Sequence, residues 1–151
     1  MLLSLVVWVG GIIFFSCAVA PTVFSVLPAR HLAGLVVTRS LAVLHWMGIV
    51  SGVVFVVTAM INARLTTGSV HPLSSRLLLV YLMLMLTIIS QFAISPRMHA
   101  LRNSMGEFDA VPSDDPARVG FNTLHGWSTR LEGGVLIVGL VVIYLTARRF
   151  T

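Results

Sequence analysis

Six side chains in this chain are of types and spacings that could do chemistry: Arg39, His45, Arg97, His125, Ser128 and Glu132. Glu132 sets the problem, because it lies inside a strongly apolar stretch. An unpaired carboxylate there costs several kcal/mol, so it must find a cation or hold a proton. Arg39 and Arg97 are the expected charge partners, with Glu132 as counter-ion. His45 and His125 are the titratable or ligating groups. His125, Ser128, Glu132 and Gly139 follow one another at i, i+3, i+7 and i+14, which places them on one helix face. Arg130, two residues from Glu132, points elsewhere. Thr38, His45 and Gly52 are seven apart and share a face of a second helix. Such a cluster could bind an anion, a metal ion or a proton. It could equally be a structural Arg-Glu-His network that sets helix register.

Two imidazoles on different helices could ligate a metal ion or form the axial pair of a haem, so His45 and His125 are the metal candidates. No HxxxH, CxxC or carboxylate-histidine spacing accompanies them. Met83 and Met85 face different ways in a Leu-rich helix and read as packing. His31, His71 and His99 fall at turns or helix ends. The chain carries no phosphate loop, zinc spacing or Ser-His-Asp arrangement, so an enzyme is the less favoured expectation.

The elements that position these groups are transmembrane helices. The chain of 151 residues is 57% hydrophobic and 10% charged, against roughly a quarter charged in soluble domains. A bilayer core of about 30 Å takes roughly 20 apolar residues. Four stretches meet that length, at about 2–27, 33–62, 76–95 and 120–147, with a polar loop over 97–119. The expected fold is all-α, a polytopic four-transmembrane-helix bundle forming one membrane domain over 1–151. The N-terminal run lacks a basic segment and is too long for a signal peptide, so it reads as a retained first helix. Pro21 should kink or loosen its end. Gly48 and Gly52 form a GxxxG spacing suited to close helix contact. All ten basic residues are arginines, scattered around the membrane ends, and the net charge of +5 is no nucleic-acid footprint. The lone Cys17 excludes an intramolecular disulfide.

Alternation of four spans brings the end of the first helix, the start of the second, the end of the third and the start of the fourth to one membrane side. Arg39, His45, Arg97, His99, His125, Arg130 and Glu132 all lie toward it. Arg64, Arg76, Arg148 and Arg149 mark the other. Leaving out Arg39, Arg97 and Arg130 as packed within the bundle, the positive-inside rule puts both termini in the cytoplasm, with a bacterial inner membrane as the expected location.

Trp8-Val-Gly-Gly-Ile-Ile-Phe14, Val19-Ala-Pro-Thr-Val-Phe24, Leu27-Pro28, Arg39, Pro96-Arg97-Met98 and Phe121-Asn-Thr-Leu-His125-Gly-Trp-Ser128 together resemble the transmembrane protein 205-like family, domain of unknown function 4149. The resemblance implies a four-helix membrane protein without an agreed activity, whose animal member is linked with platinum-drug resistance. It carries over Arg97, His125, Gly126 and Ser128 as positions of interest. The Trp-x-Gly-Gly-x-x-Phe opening is also similar to copper-resistance D-type proteins and to the small membrane protoporphyrinogen oxidase. Those families place a His ahead of that Trp, and this chain has none there.

The leading expectation is therefore a one-sided Arg/His/Glu pocket between helices that binds a small ligand, for transport or metal-linked resistance. The alternatives are a b-type haem or metal-binding redox protein, and an accessory subunit of a larger membrane complex. The lipid bilayer is the expected partner, together with a homo-oligomer or membrane complex, because four helices are few for a repeat-built carrier.

Overall fold

In the computed structural model the described residues form helices and no strand, and four of these helices are long and apolar enough to cross a membrane. The structure describes residues 1–68, 72–106 and 108–148. His71, Glu107 and Arg149 lie outside the described residues, as do the side chains of Arg30 and Asp109. The helices are α1 (Leu2–Val26), α2 (Arg30–Thr67), α3 (Ser75–Met105) and α4 (Pro116–Ala147). A short turn of 3-10 helix, Phe108–Ala110, stands between α3 and α4.

The second, third and fourth helices differ from the sequence expectation, α2 running Arg30–Thr67 against the expected 33–62. The third helix does not stop near Ser95 but runs through Pro96 to Met105, so much of the expected polar loop is helix. The fourth begins at Pro116, where Asp115 caps it: Asp115 Oδ1 accepts from the backbone N–H groups of Ala117 (2.8 Å) and Arg118 (3.4 Å). Both internal prolines are accommodated in the same way. Pro21 follows a π-helical turn at Phe15–Val19, and Pro96 follows one at Ser90–Ile94. Proline lacks an N–H and its ring collides with the carbonyl four residues back. The wider turn absorbs that conflict, and each helix continues beyond it.

The inner half of the bundle is tightly packed. Trp8, Phe55, Leu5, Ile12, Met83, Val135 and Val142 are fully or almost fully buried there. Gly48 and Gly52 provide the notch for Trp8: a Cβ on Gly52 would lie 2.8 Å from the indole and 2.6 Å from Leu84. Gly139 serves α1 likewise, since its Cβ would meet Val9 at 2.6 Å. In lipid this close fit, rather than apolar burial, is what favours helix association.

Beyond the π-helical turns the bundle forks. The outer part of α1 packs mainly on α2, and the outer part of α3 mainly on α4. The two helix pairs separate there and leave a cleft.

Candidate functional site

Three helices face the cleft with the same spacing. Gly34, Thr38, Leu41 and His45 lie along α2, Gln91, Ser95, Met98 and Arg102 along α3, and Phe121, His125, Ser128 and Glu132 along α4. Each set runs i, i+4, i+7, i+11, which is three helical turns down one face and about 16 Å in length. The stripes meet at both ends.

At the inner end His45, Gln91 and Glu132 converge. His45 is buried, with Nδ1 2.8 Å from Gln91 Oε1 and Nε2 3.2 Å from Glu132 Oε2. With the Gln91 amide oriented this way, Oε1 accepts from the His45 tautomer that carries its proton on Nδ1. In that tautomer the Nε2···Oε2 contact is a hydrogen bond only with one proton between the two atoms. That proton makes either a neutral imidazole with a carboxylic acid or an imidazolium with a carboxylate. The Glu132 side chain is 13% exposed. Outside this layer Trp46 and Phe92, the neighbours of His45 and Gln91, meet edge to face at 6.0 Å and hold α2 to α3.

At the outer end Arg102 spans the cleft. Its Nη2 donates to the carbonyl of His31 at 2.7 Å, and its guanidinium stands 6.0 Å from the centre of the Phe121 ring. Gly34 leaves the room for it, because a Cβ there would lie 2.7 Å from both terminal nitrogens.

Between the two layers is a cavity of about 370 Å³, within the range of small-molecule sites. Its apolar walls include Phe24, Val37, Leu41, Met98, Phe108 and Phe121; its polar groups are Thr38, Ser95, Arg102, Asn122, His125 and Ser128. The His125 ring lies parallel to that of Phe121, 2° apart in plane and 6.3 Å between centres. Ser128 Oγ is 3.4 Å from Ser90 Oγ, and Ser95 Oγ donates to the Ser90 carbonyl at 3.0 Å. The cavity floor is thus tied to the π-helical turn that carries Gln91.

His45 and Glu132 form the inner layer, and His125 and Ser128 line the cavity. Arg39 and Arg97, expected as partners of Glu132, are both exposed, and the ion pair of Glu132 runs to His45 instead. The reason is angular. Arg39 follows Thr38 and Arg97 precedes Met98, so each is rotated about 100° off its stripe and its long side chain faces outward. Arg130 is exposed too, over the Trp127 ring at 5.4 Å. His45 and His125 are not brought together: His125 stands seven residues from Glu132, about 10 Å along α4, and both His45 nitrogens are engaged. Among the described residues no group of three or more His, Cys, Asp or Glu side chains is placed to hold a metal ion. Sequence reasoning missed Gln91 and Arg102 as members of the site. The available signal was their eleven-residue separation, which matches that of Gly34 and His45.

Residues 3–107 match the Domain of unknown function DUF4149. The chain belongs to this family. The match covers α1 to α3 and therefore the stripes bearing His45, Gln91 and Arg102; α4, with His125, Ser128 and Glu132, lies beyond it. No curated protein and no solved structure matches the chain.

Proposed function

We propose that this DUF4149 protein is a membrane-embedded binding protein for a small amphipathic molecule, held in the cleft between its two helix pairs. The observation that carries this reading is the cavity of about 370 Å³, apolar along its walls and carrying Arg102, Asn122 and His125 among its polar lining groups. The apolar part of the ligand packs on Phe24, Val37, Leu41 and Met98. Its polar end meets Arg102, His125 and Asn122. Arg102 and His125 are the charge-bearing groups among the described lining residues, which favours an anionic or hydrogen-bond-accepting head.

The test uses decanoate, decanol and decyltrimethylammonium, three ten-carbon probes that differ in head charge, on the purified protein in lipid nanodiscs. The reading predicts saturable thermal stabilisation, largest for decanoate, that is weakened in Thr38→Leu, whose larger side chain intrudes into the cavity. Failure of all three probes to stabilise, or equal stabilisation of Thr38→Leu, rejects it.

Placement in the membrane follows the arginines. Leaving Arg39, Arg97 and Arg130 out of the count rested on their being packed inside the bundle, and all three are exposed. Restored, they give six arginines toward the cleft side (Arg30, Arg39, Arg97, Arg102, Arg118, Arg130) and four toward the termini (Arg64, Arg76, Arg148, Arg149). The positive-inside rule then favours a cytoplasmic cleft. The narrower likeness to the transmembrane protein 205-like family draws on motifs from Trp8 to Ser128, of which the Phe121 to Ser128 element is the most specific.

A further inference from the structure

The layer of His45, Gln91 and Glu132 is not part of the cavity lining, and ligand binding as proposed above makes no use of it. We propose that it is a proton-binding site, and that its protonation controls how far the two helix pairs separate. This inference does not depend on what occupies the cleft.

With Nδ1–H of His45 donated to Gln91, the 3.2 Å Nε2···Oε2 contact is a hydrogen bond only if a single proton lies between the two atoms. In either position of that proton the pair is net neutral, which suits a site in low dielectric. Loss of the proton leaves the Nε2 lone pair facing a carboxylate. Two acceptors then oppose each other, the net charge is −1, and the contact becomes repulsive. Gain of a second proton leaves an imidazolium beside a carboxylic acid, with net charge +1. Only the one-proton state closes the contact without uncompensated charge.

His45 belongs to the α1–α2 pair; Gln91 and Glu132 belong to the α3–α4 pair. The contact is thus a crosslink between the pairs, placed at the base of the fork. Gln91 sits in the π-helical turn Ser90–Ile94, where α3 changes from inner to outer packing. Buried Thr87, one turn below Gln91 on the same face, has a hydroxyl without a hydrogen-bond partner among the described residues. This inner seam therefore holds polar capacity beyond the closed contact.

Among the described residues no other ionisable side chain competes closely for this proton. α1 contributes only Cys17, which is exposed. Arg39 on α2, Arg97 on α3 and Arg130 on α4 are exposed, and His125 stands two turns outward. Removing the proton thus loosens the link, and restoring it draws the pairs together.

The sequence offers a direct probe, since the chain has two glutamates, Glu107 and Glu132. In Glu107→Gln protein labelled with 13C at glutamate carboxyls, the single resonance reports Glu132. In the same nanodiscs, spin labels at Leu35→Cys on α2 and Ala100→Cys on α3, in a Cys17→Ser background, report pair separation. Expected is a carboxyl titration that coincides in pH with a distance shift of about 2 Å or more, the scale of helix displacements in packed bundles. Glu132→Gln, which cannot ionise, should abolish the distance shift. A separation that stays constant while the carboxyl titrates overturns the proposal, as does a carboxyl that does not titrate. Should Glu132→Gln fail to fold, coincidence or its absence in the otherwise native protein still decides.

Discussion

Replacing both partners of the inner layer should harm this protein less than the two single replacements together. His45→Leu leaves Glu132 in a low-dielectric seam without its 3.2 Å partner, and deleting one member of a buried pair costs about 3–5 kcal/mol. Glu132→Leu leaves Nε2 of a buried imidazole unpaired, at about 1–3 kcal/mol. The double variant leaves only the Gln91 amide without its histidine, again about 1–3 kcal/mol. Two magnitudes compete in setting the coupling. Interhelical hydrogen bonds measured in another membrane protein average about 0.6 kcal/mol, because the unfolded chain also finds partners in the membrane. A contact whose disruption strands a carboxylate should lie higher: singles totalling about 4–8 kcal/mol against about 1–3 for the double leave about 3–5 kcal/mol. The assay is reversible unfolding by SDS in mixed micelles, followed by circular dichroism, for the wild type, both singles and the double. A coupling of about 3–5 kcal/mol is expected. Strictly additive effects, or a coupling at or below about 0.6 kcal/mol, refute the reasoning.

Other substitutions probe the frame around the site. Gly52→Leu forces atoms into Trp8 and Leu84 and should cost about 1–3 kcal/mol in the same unfolding assay. Gly133→Ala, where an added Cβ meets nothing within 4 Å, should instead stabilise α4 by up to about 1 kcal/mol. Asp115→Ala removes the cap of α4 and should cost about 1 kcal/mol. Arg97→Ala and Arg39→Ala should change stability by no more than about 0.5 kcal/mol, since both side chains are exposed. A large loss in either arginine variant would return them to the bundle interior.

The four spans were readable because lipid demands long apolar helices, a constraint that composition reveals directly. The common side of the ionisable groups followed from alternation alone. The pairing of Glu132 did not. Depth along the chain suggested Arg39 and Arg97, but rotation about the helix axis decides which side chains meet, and that depends on packing. Trp8 in the Gly48–Gly52 notch turns α2 so that His45 faces inward and Arg39 outward. The extent of α3 was hidden for a different reason. Pro96 reads as a stop, and the π-helical turn that lets the helix pass it has no distinct composition. The sequence therefore reads Met98 to Met105 at most as a separate short helix, whereas continuation of α3 places Arg102 three turns above Gln91.

The central claim is that a histidine of α2 and the glutamate of α4 join the two helix pairs at the base of the cleft. Solid-state NMR can measure it in Glu107→Gln protein carrying 13C-carboxyl glutamate and 15N-ring histidine. Strong dipolar dephasing of the Glu132 carboxyl by a histidine nitrogen is predicted, given the 3.2 Å between Nε2 and Oε2, and it should vanish in His45→Gln. A Glu132 carboxyl that shows no dephasing in the bilayer, or dephasing that persists without His45, contradicts it.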